Sequence, residues 1–181
     1  MVHSPFREKC HTRGENYTEP SNACSYFSDN VTWAIFGDSH TVELAYALAN
    51  KLEMRNEGIK HFSFSSCIPS FGQSKEFSNC ATWTNDAVEN ILNDKRIENV
   101  VINYRYAAGL IEDKLVNYPE LRQINPQGNS KRKKIIESLD QLIQEIARNK
   151  KNVFVIKPIP ELPKHINTLL MDTYRQGGDV N

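Results

Sequence analysis

An α/β fold built on a parallel sheet is what this sequence predicts, and three features predict it. Short apolar runs of strand character recur from Val31 onward, stretches with helical spacing follow them, and the alternation repeats through the chain. Such alternation implies parallel strands joined by right-handed crossovers, with helices on both faces of the sheet. At 181 residues the chain is long enough for one domain with a sizeable core.

Taken in order, residues 1–30 carry two cysteines, two prolines and several Ser, Thr and Asn without periodicity, which predicts an irregular N-terminal extension ahead of a domain over 31–181. "VTWAIF" reads as a buried strand, and Val42, Ala45, Leu48, Ala49 and Leu52 then share one helical face. "IKHFSFS" is a second strand, followed by a cysteine-bounded loop and a helix over "TNDAVENILNDKR". "NVVINY" is the third strand. The segment "RYAAGLIEDKLVNYPELRQINPQGNS" has no firm period and is too long for an ordinary connection, so an insertion near the working face is expected. Ile135, Leu139, Leu142, Ile143 and Ile146 define a long amphipathic helix, and "NVFVIKPIP" supplies a fourth strand.

Composition narrows the function classes. With 39% hydrophobic and 24% charged residues and a formal net charge of zero, neither disorder nor a strongly basic nucleic-acid surface is expected. No window approaches about 18 consecutive apolar residues, and the polar start lacks the apolar core of a signal peptide. Cys10 with Cys24 and Cys67 with Cys80 form two close pairs, each closing a loop of about 15 residues. Disulfides, free buried thiols and zinc are the alternatives; no CxxC spacing or histidine cluster accompanies the pairs. Disulfides would imply an oxidising compartment.

In parallel α/β sheets ligands bind beyond the carboxyl ends of the strands. The residues there are Gly37, Asp38, Ser39 and His40; Ser65, Ser66 and Cys67; Asn103, Tyr104 and Arg105; and Lys157, Pro158 and Pro160. Gly37 permits a sharp strand-to-helix turn, placing Ser39 among the free N–H groups of a helix start. Asp38 or Ser39 capping that helix is the ordinary alternative to a nucleophile.

The tetrapeptide "GDSH" between an apolar strand and a helix resembles the first motif block of the SGNH (GDSL-like) hydrolase superfamily. More specifically, the chain resembles the SGNH domain fused to the C-terminus of membrane acyltransferase-3 proteins, which O-acetylate bacterial surface glycans. The cysteine-bearing lead-in, "FGDSHT", "SSCIPSFG" with a downstream "C..W", "VVINYRY" and "VFVIKPIPELP" carry that resemblance over nearly the whole chain. It implies a flavodoxin-like three-layer α/β/α fold and an acyl-serine mechanism with Ser39 as nucleophile. The Asn103 amide, the Ser39 N–H and an N–H from the loop after the second strand would form the oxyanion hole. Gly72 matches the family's glycine by residue type, while Ser66 and Cys67 lie closer to the strand end. Asp38, His40, Ser66 and Arg105 are expected to line the pocket.

The chain departs from the family in one respect. Family members carry Asp-x-x-His near the domain's C-terminus, with the histidine as general base; here Arg175 stands three positions after Asp172, and that block is expected to be missing. His165 lacks an aspartate three residues before it. His40 adjoins Ser39, but adjacent helical side chains point about 100° apart. His3, His11 and His61 read as structural or solvated, Trp33 as core, and Trp83 as a cover for the disulfide or a sugar platform. "KRKK" at 131–134 puts cations at a helix start, against the dipole, as a solvated face or an attractor of an anionic glycan or lipid headgroups. "NYT" and "NVT" are formal glycosylation sequons, relevant only in a eukaryotic secretory host.

The expected function is an extracytoplasmic domain that passes an acyl group, acetyl by resemblance, through Ser39 to a hydroxyl of a surface glycan such as lipopolysaccharide O-antigen or peptidoglycan. The acyl donor would come from an attached or associated membrane acyltransferase-3 domain at the periplasmic face, with neither cofactor nor metal. A catalytically inactive glycan-binding or partner-docking module, or a free-standing secreted carbohydrate esterase, are the alternatives.

Overall fold

The computed structural model describes residues 3–110, 129–158 and 166–177. Its strands are β1 (Cys24–Tyr26), β2 (Val31–Gly37), β3 (Gly58–Ser63), β4 (Asn99–Asn103) and β5 (Asn152–Val155), forming one sheet in the order β1-β3-β2-β4-β5. β3, β2, β4 and β5 are mutually parallel, and β1 adds to β3 antiparallel. The helices are α1 (Arg7–Cys10), α2 (Thr41–Glu53), α3 (Ala81–Asn93), α4 (Tyr106–Leu110), α5 (Asn129–Asn149) and α6 (Ile166–Arg175). Both the α/β class and the mostly parallel sheet agree with the sequence.

Strand periodicity explains the layers, because successive side chains point to opposite faces. Ala34 and Phe36 of β2 join Phe62, Val100 and Ile102 beneath α3 and α5, where Trp83, Ala87, Ile91, Leu142 and Ile146 complete one core. Ile35, with Ile59 and Val101, faces the other way onto Ala45, Ala49 and Leu52 of α2. Each fully buried large side chain contributes about 1.5–3 kcal/mol by leaving water.

The N-terminal segment is more integrated than its composition predicts. β1 pairs Cys24 with His61 and Tyr26 with Ile59, and Thr12 bridges to Phe64 beside the end of β3. A three-residue strand is too short to show periodicity in the sequence. Disulfides Cys10–Cys24 and Cys67–Cys80 are both formed, as the pairing of the cysteines suggested. Glu43 of α2 fastens the same segment, accepting from the Ser4 N–H at 2.7 Å and from the Arg7 guanidinium at 2.9 and 3.0 Å.

Several boundaries differ from expectation. α3 starts at Ala81, three residues before the expected Thr84, where Cys80 stands at its N-cap and its carbonyl accepts the Thr84 N–H at 2.8 Å. Of the long connection, α4 and the first turn of α5 are described; residues 111–128 lie outside the described residues, as do Pro160 and His165. Trp33, expected in the core, is half-buried and stacks on the exposed Phe154 at 5.4 Å between ring centroids. Trp83 is the buried one: its indole N–H donates to the Thr18 carbonyl at 3.0 Å and its ring lies against Phe36. Among the described residues, no helix is long and apolar enough to cross a membrane.

Candidate active site

The sheet register brings three strand ends into one row: Gly37 pairs with Ser63 of β3 on one side and Asn103 of β4 on the other. Glycine is required at the centre of that row. A Cβ on residue 37 would run into the Asn103 carbonyl and come within 2.7 Å of Thr41 Oγ1. The same carbonyl accepts the Thr41 hydroxyl at 2.8 Å and the Asp38 N–H at 3.4 Å. Thr41 is therefore a site-building residue that the sequence marks only as the last letter of "FGDSHT".

Asp38, buried to 4% exposure, holds the turn. Its Oδ1 accepts the His40 N–H at 2.9 Å, and its Oδ2 accepts the Arg105 N–H at 2.9 Å, tying the β2–α2 turn to the chain leaving β4. Neither bond reaches an N–H inside α2, so the aspartate fixes the turn rather than capping the helix. The N-cap residue itself, His40, caps nothing with its side chain. Ser39 is half-buried, and neither its hydroxyl nor its N–H has a hydrogen-bond partner among the described residues. A serine that capped the helix would have its Oγ on an N–H two or three residues on.

Asn103 is buried, and its amide donates to the His40 carbonyl at 3.0 Å, which fixes the side chain beside the Ser39 turn while leaving the second amide hydrogen. Of the residues considered for the other donor, Gly72 has its N–H on Asn85 Oδ1 at 2.8 Å and Cys67 has its N–H on the Phe64 carbonyl at 3.2 Å. Ser66 differs from both. It is exposed, holds a left-handed backbone with φ 56°, and its N–H has no acceptor among the described residues. A non-glycine residue in that region is strained and is kept only where surrounding structure imposes it. Here the Ser65 N–H to Thr12 carbonyl bond (2.8 Å) and the Cys67–Cys80 disulfide hold the turn on either side.

None of the described histidines bonds to Ser39. His11 Nδ1 lies 2.8 Å from Ser63 Oγ, and the Tyr26 hydroxyl lies 2.7 Å from His61 Nδ1; both rings are buried. Burial lowers the pKa of each, that of His61 to about 3. His40 is exposed, and His3 lies 3.9 Å from Glu43 Oε1. Behind the turn, burial and then the charge of Asp38 push the hydroxyl of Tyr104 well above its ordinary range. Tyr106 is pushed up to about 12, with burial again the main cause. Neither phenol supplies a base near neutral pH. Among the described residues, no cluster of His, Cys, Asp or Glu could hold a metal ion.

A parallel three-layer domain with a Gly-Asp-Ser turn at the carboxyl edge and an asparagine ending the neighbouring strand defines an SGNH-type α/β protein. The chain matches the family described as the SGNH domain fused to AT3 domains over residues 9–180, and it belongs to that family. Membership supports a role in the hydrolase and acyltransferase chemistry of the SGNH superfamily, in association with an acyltransferase-3 domain. No curated protein and no solved structure gave a significant match.

Proposed function

We propose that this domain transfers an acyl group through Ser39 to a hydroxyl of a bacterial surface glycan. The observation that carries the reading is the Ser39 hydroxyl, without a hydrogen-bond partner among the described residues and held at the sheet's carboxyl edge by a turn that Asp38 fastens to the His40 and Arg105 N–H groups. Ser39 Oγ attacks the donor's ester carbonyl. The new Oγ–C bond forms as the carbonyl π electrons move onto oxygen and the hydroxyl proton passes to water; collapse then breaks the C–O bond to the donor, whose oxygen takes a proton back from water and leaves as the alcohol. The same sequence with a sugar hydroxyl as nucleophile then releases Ser39.

The developing oxyanion is received by the Ser39 N–H, the second hydrogen of the Asn103 amide and the Ser66 N–H, chosen over Gly72 and Cys67 because their amides are occupied. One such donor is worth about 2.7–4 kcal/mol in the transition state. Family membership supports an acyltransferase-3 domain as the source of the acyl group, and the two disulfides support an oxidising, extracytoplasmic location.

None of the described histidines bonds to Ser39, which favours a second reading in which the domain binds glycan without turning it over. The two readings separate by trapping acetyl-Ser39 from p-nitrophenyl acetate and locating it by peptide mass spectrometry. Even without a histidine base, the oxyanion hole and positioning leave a residual acceleration of about 10³–10⁴ over water. Slow single acetylation at Ser39 is expected, absent in Ser39→Ala; random lysine acetylation with Ser39 untouched refutes acyl transfer.

A further inference from the structure

A concave site whose lining includes no residue of the Ser39 turn lies at the carboxyl edge of the sheet. It has a volume of about 410 Å³ and is lined by Gln73, Ser74, Glu76, Phe77, Ser130, Lys131 and Lys134. One wall is the loop closed by the Cys67–Cys80 disulfide; the other is the start of α5. Because α5 connects the parallel strands β4 and β5, it runs back against them, and its first turn stands on the same edge as Ser39.

The loop wall is built rather than loose. The Gly72 N–H donates to Asn85 Oδ1, the Asn85 amide returns to the Gln73 carbonyl at 3.1 Å, and the Gln73 amide reaches the buried Ser138 hydroxyl on α5 at 3.1 Å. The Phe77 N–H closes a turn onto the Ser74 carbonyl at 3.0 Å, and the hydroxyls of Ser70 and Ser78 lie 2.7 Å apart. The facing wall carries uncompensated charge. Lys133 is paired with Glu137 at 3.7 Å, whereas Lys131 and Lys134 have no ion-pair partner among the described residues. The first turn of α5 also contains no acidic residue. Cations there oppose the helix dipole, a local cost that an anion bound in the cavity would reverse.

We infer that this cavity is a subsite for an acidic sugar of the acceptor glycan, an inference that rests on the acyl-transfer reading of Ser39. The lining chemistry selects that class. Lys131 and Lys134 meet the sugar's anionic group, while the Glu76 carboxylate, the other charge in the cavity, accepts from neighbouring hydroxyls. The two serines add neutral hydrogen-bonding groups, and the half-buried Phe77 ring offers an apolar face to the sugar's C–H surface. A bare anion or lipid headgroup would use the lysines but neither Phe77 nor Glu76.

The test is calorimetric titration of the whole chain, at low salt, with hexagalacturonate, neutral maltohexaose, polyglutamate and phosphatidylglycerol vesicles. Hexagalacturonate is expected to bind about tenfold or more tighter than maltohexaose, and Lys131→Glu with Lys134→Glu to weaken it by about tenfold. Both lysines are exposed, so the double variant should fold. Phe77→Leu is expected to weaken hexagalacturonate binding about threefold and to leave polyglutamate unchanged. Equal affinity for polyglutamate, tighter binding to the vesicles, or indifference to both variants overturns the inference. Ser39 labelling of the wild-type chain, with Ser39→Ala as its control, separates the two readings: sugar binding without Ser39 acetylation defeats acyl transfer alone, and acetylation without sugar binding defeats the subsite alone.

Discussion

Acidification is expected to loosen this domain through the histidines beneath its N-terminal segment. His61 sits in β3 at 1% exposure, against the Tyr26 hydroxyl, and burial together with the nearby charges of His11 and Arg7 holds its pKa at about 3, against 6.5 for a free side chain. The unfolded chain thus takes up a proton near pH 6.5 while the folded one does not. His61 therefore favours the folded state fully above that pH, and this advantage is lost progressively from pH 6.5 down to about 3. By linkage, the loss between pH 8 and pH 5 is about 2 kcal/mol from His61 alone. His11, also lowered chiefly by burial, adds to it in the same direction. Urea unfolding at pH 8, 7, 6 and 5 should show the midpoint falling by about 1 M for an ordinary denaturant slope. His61→Asn can still accept from Tyr26 but cannot titrate; it should be less stable at pH 8 and show a much flatter pH dependence. If wild type and His61→Asn lose the same stability between pH 8 and pH 5, the buried imidazole is not the cause and the reasoning fails.

Three further outcomes test the site and its supports. Asn103→Ala should slow acetylation of Ser39 by about 10²–10³-fold, measured as the pseudo-first-order labelling rate with p-nitrophenyl acetate. Gly37→Ala should cost at least about 3 kcal/mol, because the added methyl meets backbone rather than a side chain that can move, and thermal melting should register it as a fall of about 6–12 °C. Cys67→Ser with Cys80→Ser reopens a loop with a sequence separation of 13 residues and should lower stability by about 3 kcal/mol in denaturant unfolding.

The fold was legible where the chain obeys one period for long enough. The seven residues of β2 and the 13 of α2 each carry a complete hydrophobic signal, and both formed where the pattern placed them. β1 was not legible, since three residues cannot display an alternation and its place is set by pairing with Gly58–Ser63. α6 escaped for a different reason: although Ile166, Leu169 and Leu170 recur at helical spacing, none of its residues is buried, so no core interaction marks it as an element of the fold. The tryptophans show the same limit. Trp33 lies in the apolar run of β2 and Trp83 among polar neighbours, yet Trp83 is buried beside Phe36 while Trp33 is only half-buried, because which face of a layer is covered is a tertiary property.

At the site, residue types alone left Ser39 undecided between a helix cap and a nucleophile, since a serine after a strand suits either. The contacts that bear on the choice belong to its neighbour. Asp38 spends one carboxylate oxygen on the His40 N–H and the other on the Arg105 N–H, so the aspartate fixes the turn, while the Ser39 hydroxyl makes no capping bond and has no partner among the described residues. The Arg105 N–H is 67 residues away in sequence, and no local pattern could have announced it. The proposed second oxyanion donor is open to the same argument: Gly72 matched by residue type, but its N–H belongs to Asn85, whereas Ser66 combines a strained left-handed backbone with an N–H that has no acceptor among the described residues. A motif therefore names residue types, and the hydrogen bonds already made by their neighbours determine which of them remain free to react.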